Sequence, residues 1–313
     1  MTVLLRSPLQ PPAINEEIAA RFEPHLEADG LPDTLAAGID VVITKGDIGL
    51  PSELMASLPD LKLISVYGVG TDAIDLEQAA RRGVRVTTTP DVLTDAVAEL
   101  AIALMLAGAR RVAEADRYVR VGSWGKRKFG LGWSVFGETV GILGYGRIGQ
   151  RIGGLCRALG MSVLYSDLNP RPGEEDAFRA DAKSLSRDSR VLIIAAAGGP
   201  DTEGLVDRAV LQALGPEGLL VNVARGSVVN ETDLAEALEA RELGSAALDV
   251  FADEPNVPLD LLRHPQLVLT PHIASATLNA RTAMGRLVID NVAAFLNGDA
   301  LLTPLDLSRL ERV

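Results

Sequence analysis

Three short segments of this chain each deliver one ionisable side chain from the end of a strand-like run, and together they form a set that can grip a carboxylate and move a proton. Val221-Asn-Val-Ala-Arg-Gly-Ser227 presents Arg225, with Gly226 permitting a tight turn behind it. Asp249-Val-Phe-Ala-Asp-Glu-Pro255 presents Glu254, in a loop stiffened by proline. Thr270-Pro-His-Ile-Ala-Ser275 presents His272 just before an expected helix. Arginine binds a carboxylate through two parallel N–H bonds, and histidine exchanges a proton near neutral pH. A carboxylate beside the imidazole favours its protonated form. All three segments lie just past the carboxyl ends of expected strands, where open α/β sheets place their chemistry.

A fourth segment supplies a reason for that chemistry. Thr139-Val-Gly-Ile-Leu-Gly-Tyr-Gly-Arg-Ile-Gly149 joins an apolar strand to a glycine turn and then to a helix running from Gln150 to about Leu159. Gly144 makes the tight turn, Gly146 lets the backbone approach a pyrophosphate, and Gly149 lets the helix pack close to its strand. The helix start turns amides and a positive dipole end toward that phosphate. Asp167 closes the run Ser162-Val-Leu-Tyr-Ser166 and lies 167 − 149 = 18 residues past the last glycine, close to the interval of about 20 at which an acid accepts the ribose hydroxyls. Its charge would repel a 2′-phosphate, so NADH is expected over NADPH, although Arg171, after Asn169-Pro170, is placed to accept such a phosphate. With a dinucleotide bound, the trio suits reduction of a 2-oxo acid: Arg225 fixes the acid group and His272 protonates the alkoxide left by hydride transfer.

The elements that must position these residues follow an α/β alternation without repeats or long linkers. Strands are expected near Val3–Arg6, Asp40–Thr44, Leu61–Tyr67 and Val84–Thr88, with helices near Asn15–Phe22, Ser52–Ser57 and Leu76–Arg82, giving a small doubly wound sheet. A long helix is expected from Thr94 to about Arg120, apolar nearly all round at its start as for a helix buried between two domains. Six further strands, Val140–Leu143, Val163–Tyr165, Val191–Ala195, Leu219–Val223, Ala247–Val250 and Leu267–Thr270, fit a Rossmann-type sheet. A last helix, Ala276 to about Leu296 with Gly298 as C-cap, would return the chain to the first domain.

Composition narrows the partners. The chain has 313 residues, enough for about two domains, and its 30 Lys+Arg against 42 Asp+Glu give a net charge of −12, which lacks the basic surface of a nucleic-acid binder. The longest apolar run, in Glu99–Arg110, is too short to cross a bilayer, so a cytoplasmic protein is expected. Cys156 lies inside the helix after the glycine turn, where packing is its expected role; His25 and His264 read as surface residues. No spacing of His, Cys and carboxylates resembles a metal site. Ala195-Ala-Ala-Gly-Gly199 is either room beside a cofactor or a turn.

Taken in order, Gly68-Val-Gly-Thr-Asp72, the glycine fingerprint, Asn222-Val-Ala-Arg-Gly226, Leu248-Asp-Val-Phe251 with Asp253-Glu-Pro255, and Pro271-His-Ile-Ala-Ser275 resemble the D-2-hydroxyacid dehydrogenase family over almost the whole chain. Among its branches the resemblance is strongest to glyoxylate/hydroxypyruvate reductases and hydroxyphenylpyruvate reductases. It implies two doubly wound parallel-sheet domains: a dinucleotide-binding Rossmann domain, residues 99–280, inserted into a smaller flavodoxin-like substrate domain, residues 1–98 and 281–313. It implies hydride transfer from NAD(P)H to a small 2-oxo acid, giving the D-2-hydroxy acid. Arg225 is then the substrate-orienting residue, His272 the acid/base and Glu254 its partner. The amides of Val69 and Gly70 face the substrate carboxylate and Ser275 reaches the substrate. Asp249 stands beside the nicotinamide carboxamide, and Gly144, Tyr145, Gly146, Arg147, Ile148, Gly149, Asp167, Val223, Ala224, His272 and Ala274 contact the cofactor. A homodimer through the nucleotide domain is also implied, with Trp124 in its arm. Other substrates of the family (an aromatic 2-oxo acid, pyruvate, phosphoglycerate) and a dinucleotide-sensing corepressor-like protein are the alternatives.

Overall fold

The computed structural model describes residues 1–308. The chain opens with β1 (Thr2–Leu5), α1 (Pro12–Phe22), β2 (His25–Leu26), α2 (Asp33–Ala36), β3 (Ile39–Lys45), α3 (Ser52–Ala56), β4 (Leu63–Tyr67), α4 (Leu76–Arg81) and β5 (Arg85–Thr87). These strands form one parallel sheet in the order β2-β1-β3-β4-β5, the flavodoxin-like arrangement. β3 and β4 are almost continuously apolar and buried, as expected of parallel strands covered on both faces. The two-residue β2 and the single-turn α2 are too short to show a period in the sequence.

The next stretch carries the catalytic candidates: α5 (Thr94–Ala109), α6 (Val112–Arg120), β6 (Thr139–Leu143), α7 (Arg147–Ala158), β7 (Ser162–Ser166), α8 (Ala182–Arg187), β8 (Val191–Ile194), α9 (Arg208–Leu214), β9 (Leu219–Asn222), α10 (Glu231–Glu239), β10 (Ser245–Leu248), α11 (Leu259–Arg263) and β11 (Leu267–Leu269). The six strands form a second parallel sheet, β11-β10-β9-β8-β6-β7. The strand order reverses between β6 and β8, with two strands on one side and four on the other. The full Rossmann order has three strands on each side. Here the chain leaves β7, makes a bridge from Phe178 to the edge residue Tyr165, and crosses back through α8 to β8 without adding a third strand.

The single helix expected from Thr94 to Arg120 is two helices. α5 ends at Ala109, and Arg111 takes a left-handed conformation (φ 56°) before α6 begins. The side chain of Arg111 holds that turn by pairing with Glu114 at 2.6 Å and lying over the ring of Phe129. The break falls at Arg110-Arg111 with no proline to mark it, and two arginines read equally well as an exposed face of a continuing helix, which is why the period alone did not reveal it. The final helix, α12 (Leu278–Asn297), ends on Gly298 with φ 78° and packs on α1 and β4.

The chain divides into two compact units, Met1–Leu93 with the chain from Ser275 onward, and Thr94–Ala274. These divisions fall at the start of α5 and before α12, leaving both helices whole, whereas boundaries at 98/99 and 280/281 would cut each within its first turns.

Candidate active site

In the second unit, β6, β9, β10 and β11 run parallel, so the segments that follow them emerge at the same edge of the sheet. The glycine turn follows β6. Gly144 has φ 89°, and a Cβ there would lie 2.5 Å from Ala196 N, so no other residue fits the turn without displacement. A Cβ on Gly149 would lie 2.1 Å from Gly144 O, so α7 starts hard against its own turn. Gly146 differs: a Cβ on it would meet nothing within 4 Å. The first and last glycines are required by packing within the protein, and the middle one faces open space at the N-terminus of a helix. That combination fits a pyrophosphate group, held by the turn amides and the helix dipole.

Asp167 stands just past β7. Its Oδ2 accepts the Tyr145 amide at 2.7 Å and its Oδ1 the Leu168 amide at 2.7 Å. The carboxylate is therefore locked in direction while each oxygen keeps a second lone pair for a ribose hydroxyl. Arg171 is anchored by its backbone amide to the Tyr165 hydroxyl at 2.6 Å, and its Nη1 lies 3.5 Å from Tyr145 O. The side chain of Tyr145 is 2% exposed and turned away from the turn. Its ring stacks on Tyr165 at 4.2 Å, and its hydroxyl accepts from Arg157 Nη2 and donates to Glu174 Oε2, both at 3.1 Å. Only the main chain of Tyr145 is left to meet a ligand. Arg147 is exposed, and Ile148 is partly buried in the first turn of α7.

The strands β9, β10 and β11 supply the proton-transfer set. Asn222, the last residue of β9, pins the next turn by donating to Arg225 O at 2.8 Å and accepting the Ala224 amide at 3.0 Å; Val223 is buried within that turn. Arg225 Nη1 donates to Ala224 O at 2.7 Å. A Cβ on Gly226 would lie 1.9 Å from Phe251 C, so the Arg225 turn is pressed against the loop that carries Glu254. Asp249, fully buried after β10, accepts from the Thr270 hydroxyl (2.6 Å), the Ile273 amide (2.8 Å) and the Ala274 amide (2.8 Å), and its carbonyl accepts the His272 amide at 2.8 Å. One residue thus shapes the 270–274 turn, its carboxylate holding Thr270, Ile273 and Ala274 and its carbonyl holding His272, which sits at φ 53°. Burial pushes the Asp249 carboxyl up, and these hydrogen bonds with the charge of His272 act in the opposite direction.

Within that frame, Glu254 Oε2 lies 2.7 Å from His272 Nδ1, and Glu254 Oε1 accepts the Phe251 amide at 3.0 Å. The hydrogen bond to Glu254 raises the His272 pKa above its usual 6.5; burial and the positive charge of Arg225 oppose this, and the charges of Glu254 and Asp249 support it. Burial alone would raise the Glu254 pKa, but the bonds from His272 and Phe251 and the charges of His272 and Arg225 bring it below its ordinary range. The result is an imidazole that holds its proton to higher pH, with Nδ1 committed to the carboxylate and Nε2 left for proton exchange.

In the other unit, Val69 and Gly70 follow the carboxyl end of β4, with Val69 41% exposed, and Gly70 O packs where a Cβ on Gly46 would touch it at 2.9 Å. Ser275 opens that unit's return segment and accepts the Thr277 amide. Cys156 is buried and its thiol is pushed up to about 12 by burial. Among the described residues, no group of three or more His, Cys, Asp or Glu could hold a metal ion, and no helix is long and apolar enough to cross a membrane. His264 is partly buried, with an Nδ1 that is buried without a hydrogen-bond partner, in contrast to the surface role expected for it. Sequence reasoning passed over Thr270, Tyr165 and Glu231. The first two stand inside the segments already singled out and were detectable there as a hydroxyl and an aromatic.

A glycine turn that leaves space only at its middle residue, an acid fixed at the next strand end, and a paired histidine at the same sheet edge define a dinucleotide-binding oxidoreductase. Residues 102–274 match the D-isomer specific 2-hydroxyacid dehydrogenase, NAD binding domain, and the chain belongs to that family, an enzyme of it that uses a nicotinamide dinucleotide. It is 43% identical to the 2-ketogluconate reductase of Gluconobacter oxydans over 94% of this chain and 95% of that protein. It is 40% identical to the glyoxylate/hydroxypyruvate reductase A HPR2 of Arabidopsis thaliana over 91% of each. Among solved structures, the NADPH-dependent glyoxylate/hydroxypyruvate reductase of Sinorhizobium meliloti, in complex with NADP and malonate, superposes with a TM-score of 0.92 at 36% identity, covering 98% of this chain and 97% of that one.

Proposed function

We propose that the protein reduces a small 2-oxo acid of the glyoxylate/hydroxypyruvate type to the D-2-hydroxy acid, with NADH as preferred coenzyme. The observation that carries this reading is the His272 Nδ1 to Glu254 Oε2 contact of 2.7 Å at the sheet edge that also bears the glycine turn. The bound nicotinamide supplies a hydride. Arg225 grips the substrate carboxylate, assisted by the amides of Val69 and Gly70 and by Ser275. His272 gives its Nε2 proton to the developing alkoxide, and Glu254 stabilises the imidazolium until then. Gly144, Gly146, Gly149 and the main chain of Tyr145, Arg147 and Ile148 hold the pyrophosphate. Asp167 takes the ribose hydroxyls, while Val223, Ala224, Asp249, His272 and Ala274 border the nicotinamide. In this reading Thr94–Ala274 is the dinucleotide domain and the other unit the substrate domain.

The preference for NADH rests on the Asp167 carboxylate, locked by two amides where a 2′-phosphate would have to sit. The relatives named above act on 2-ketogluconate, glyoxylate or hydroxypyruvate; these are all 2-oxo acids, and the reading commits to that shared group. A cytoplasmic homodimer through the dinucleotide unit completes it, without nucleic-acid or membrane partners. The exposed Val121, Trp124, Leu131 and Phe136, at 72%, 78%, 94% and 70%, support the dimer. The test is loss of NADH absorbance with purified protein and a panel of glyoxylate, hydroxypyruvate, pyruvate and phenylpyruvate. Turnover of the first two above the others is expected, and no turnover with any would favour a dinucleotide sensor.

A further inference from the structure

Glu231 opens α10 and takes no part in the proton-transfer pair, yet its carboxylate is turned toward the loop that carries Glu254. Its Oε1 accepts the Ala252 amide at 2.8 Å. One residue earlier, the Phe251 amide donates to Glu254 Oε1 at 3.0 Å, and Glu254 Oε2 meets His272 at 2.7 Å. Two successive amides of one loop are thus held by two carboxylates, one from the loop itself and one from a helix that follows the Arg225 turn. On its other side the same peptide abuts Gly226, where a Cβ would lie 1.9 Å from Phe251 C and 2.3 Å from Ala252 N. The loop is fixed between Gly226 and Glu231.

An acid in the first turn of a helix ordinarily serves the helix dipole and faces water. Glu231 is partly buried instead. Burial raises its carboxyl pKa; the charges of Glu254 and Asp253 add to the rise, and the Ala252 bond opposes it. Placing a third acid beside Glu254 is unfavourable unless its position matters. The charged groups facing this arrangement are Asp253 and Glu254 against Glu231, His272 and Arg225 against Glu254, and Asp249 and Arg225 against His272.

We infer that Glu231 is a positioning residue: by holding the Ala252 amide it fixes the 251–254 loop so that Glu254 stays bonded to His272. This rests on the reading of His272 and Glu254 as the acid pair. The loop is also held by the burial of Phe251 in the core, by the bonds of Asp253 to Asn256 and by the Gly226 contact, but the Ala252 bond is the one that ties its middle to α10. Without Glu231 the segment after Phe251 loses its tie to α10, and Glu254 can shift relative to His272.

The test uses the full chain with NADH and hydroxypyruvate over a pH series, with NADH affinity read by fluorescence. Glu231→Gln keeps an acceptor for Ala252 and is expected to hold kcat within about threefold and keep the native pH limb. Glu231→Ala removes the acceptor and is expected to lower kcat by about ten- to a hundredfold, the scale of a sub-ångström to ångström misplacement, with NADH affinity retained. Its reductive limb should move to lower pH, toward that of Glu254→Gln, because His272 loses its partner. If the alanine variant does not bind NADH, Glu231→Asp, one methylene too short to reach Ala252, replaces it with the same expected loss. Native kcat and limb in the shortened variants overturn the inference. So does an equal loss in Glu231→Gln, which would point to charge and not the bond. Native turnover by His272→Gln, run alongside, would instead bring down the acid-pair reading itself.

Discussion

Replacing Gly226 by alanine is a perturbation whose size follows directly from the coordinates. The added Cβ would stand 1.9 Å from Phe251 C, 2.2 Å from Phe251 O and 2.3 Å from Ala252 N. All three atoms are backbone, so no rotamer change relieves the clash. Ordinary contact begins at 3.4 Å, so the Arg225 turn and the Glu254 loop must separate by roughly 3.4 − 1.9 = 1.5 Å. Overpacking of this kind costs about 1–3 kcal/mol of stability. The functional cost is of similar size: a displacement of about 1 Å between groups that act together lowers turnover on the order of a hundredfold, about 2.7 kcal/mol. The assay is kcat/KM for NADH oxidation with hydroxypyruvate, beside a thermal midpoint and the Kd for NADH. A folded variant with unchanged NADH affinity and about hundredfold lower kcat/KM is expected. A folded variant that keeps kcat/KM within about threefold would refute the claim that Arg225 and Glu254 act from a fixed separation.

Gly146→Ala should fold with a native midpoint but bind NADH more weakly, because its Cβ meets no protein atom and projects into the pyrophosphate space; Gly149→Ala should lose stability first, since its Cβ meets Gly144 O at 2.1 Å. Equal effects of the two in calorimetry and in NADH titration would contradict that division of roles. Arg225→Lys should lose nearly as much kcat/KM as Arg225→Ala, about 2–5 kcal/mol of transition-state binding, because an ammonium cannot reproduce a two-pronged grip; a near-native lysine variant would reduce Arg225 to a diffuse attractor. Comparing kcat/KM for NADH and NADPH should show NADH ahead, and Asp167→Ala should narrow the gap. A clear NADPH preference in the native protein would mean that Arg171 reads the phosphate.

Much of this site was legible before the fold. The strands of the second sheet could be placed because parallel strands buried on both faces read as short apolar runs, and Arg225, Glu254 and His272 each follow one of those runs directly. That the three converge follows from the parallel order of β9, β10 and β11, which no local pattern encodes. What the sequence hid is direction. Tyr145 sits inside the glycine turn, yet its side chain points into the core against Tyr165, 20 residues away along the chain. Asp249 is shown to shape the 270–274 turn through three donors, a role set by tertiary contacts. The break at Arg111 was missed because apolar spacing does not register one left-handed residue.

The central claim, proton donation from a carboxylate-paired His272 during hydride transfer, is tested most directly by single turnover of the NADH-loaded protein mixed with glyoxylate across a pH series. Reduction requires the imidazolium, and the Glu254 bond raises the His272 pKa above its usual 6.5. The rate should therefore be full at low pH and fall as pH rises through that raised value. In Glu254→Gln the charge and the strong bond are gone, so the fall should come at lower pH with NADH still bound, and His272→Gln should lose most of the rate. An unmoved limb in Glu254→Gln, or a native rate in His272→Gln, would contradict the account and place the acid elsewhere.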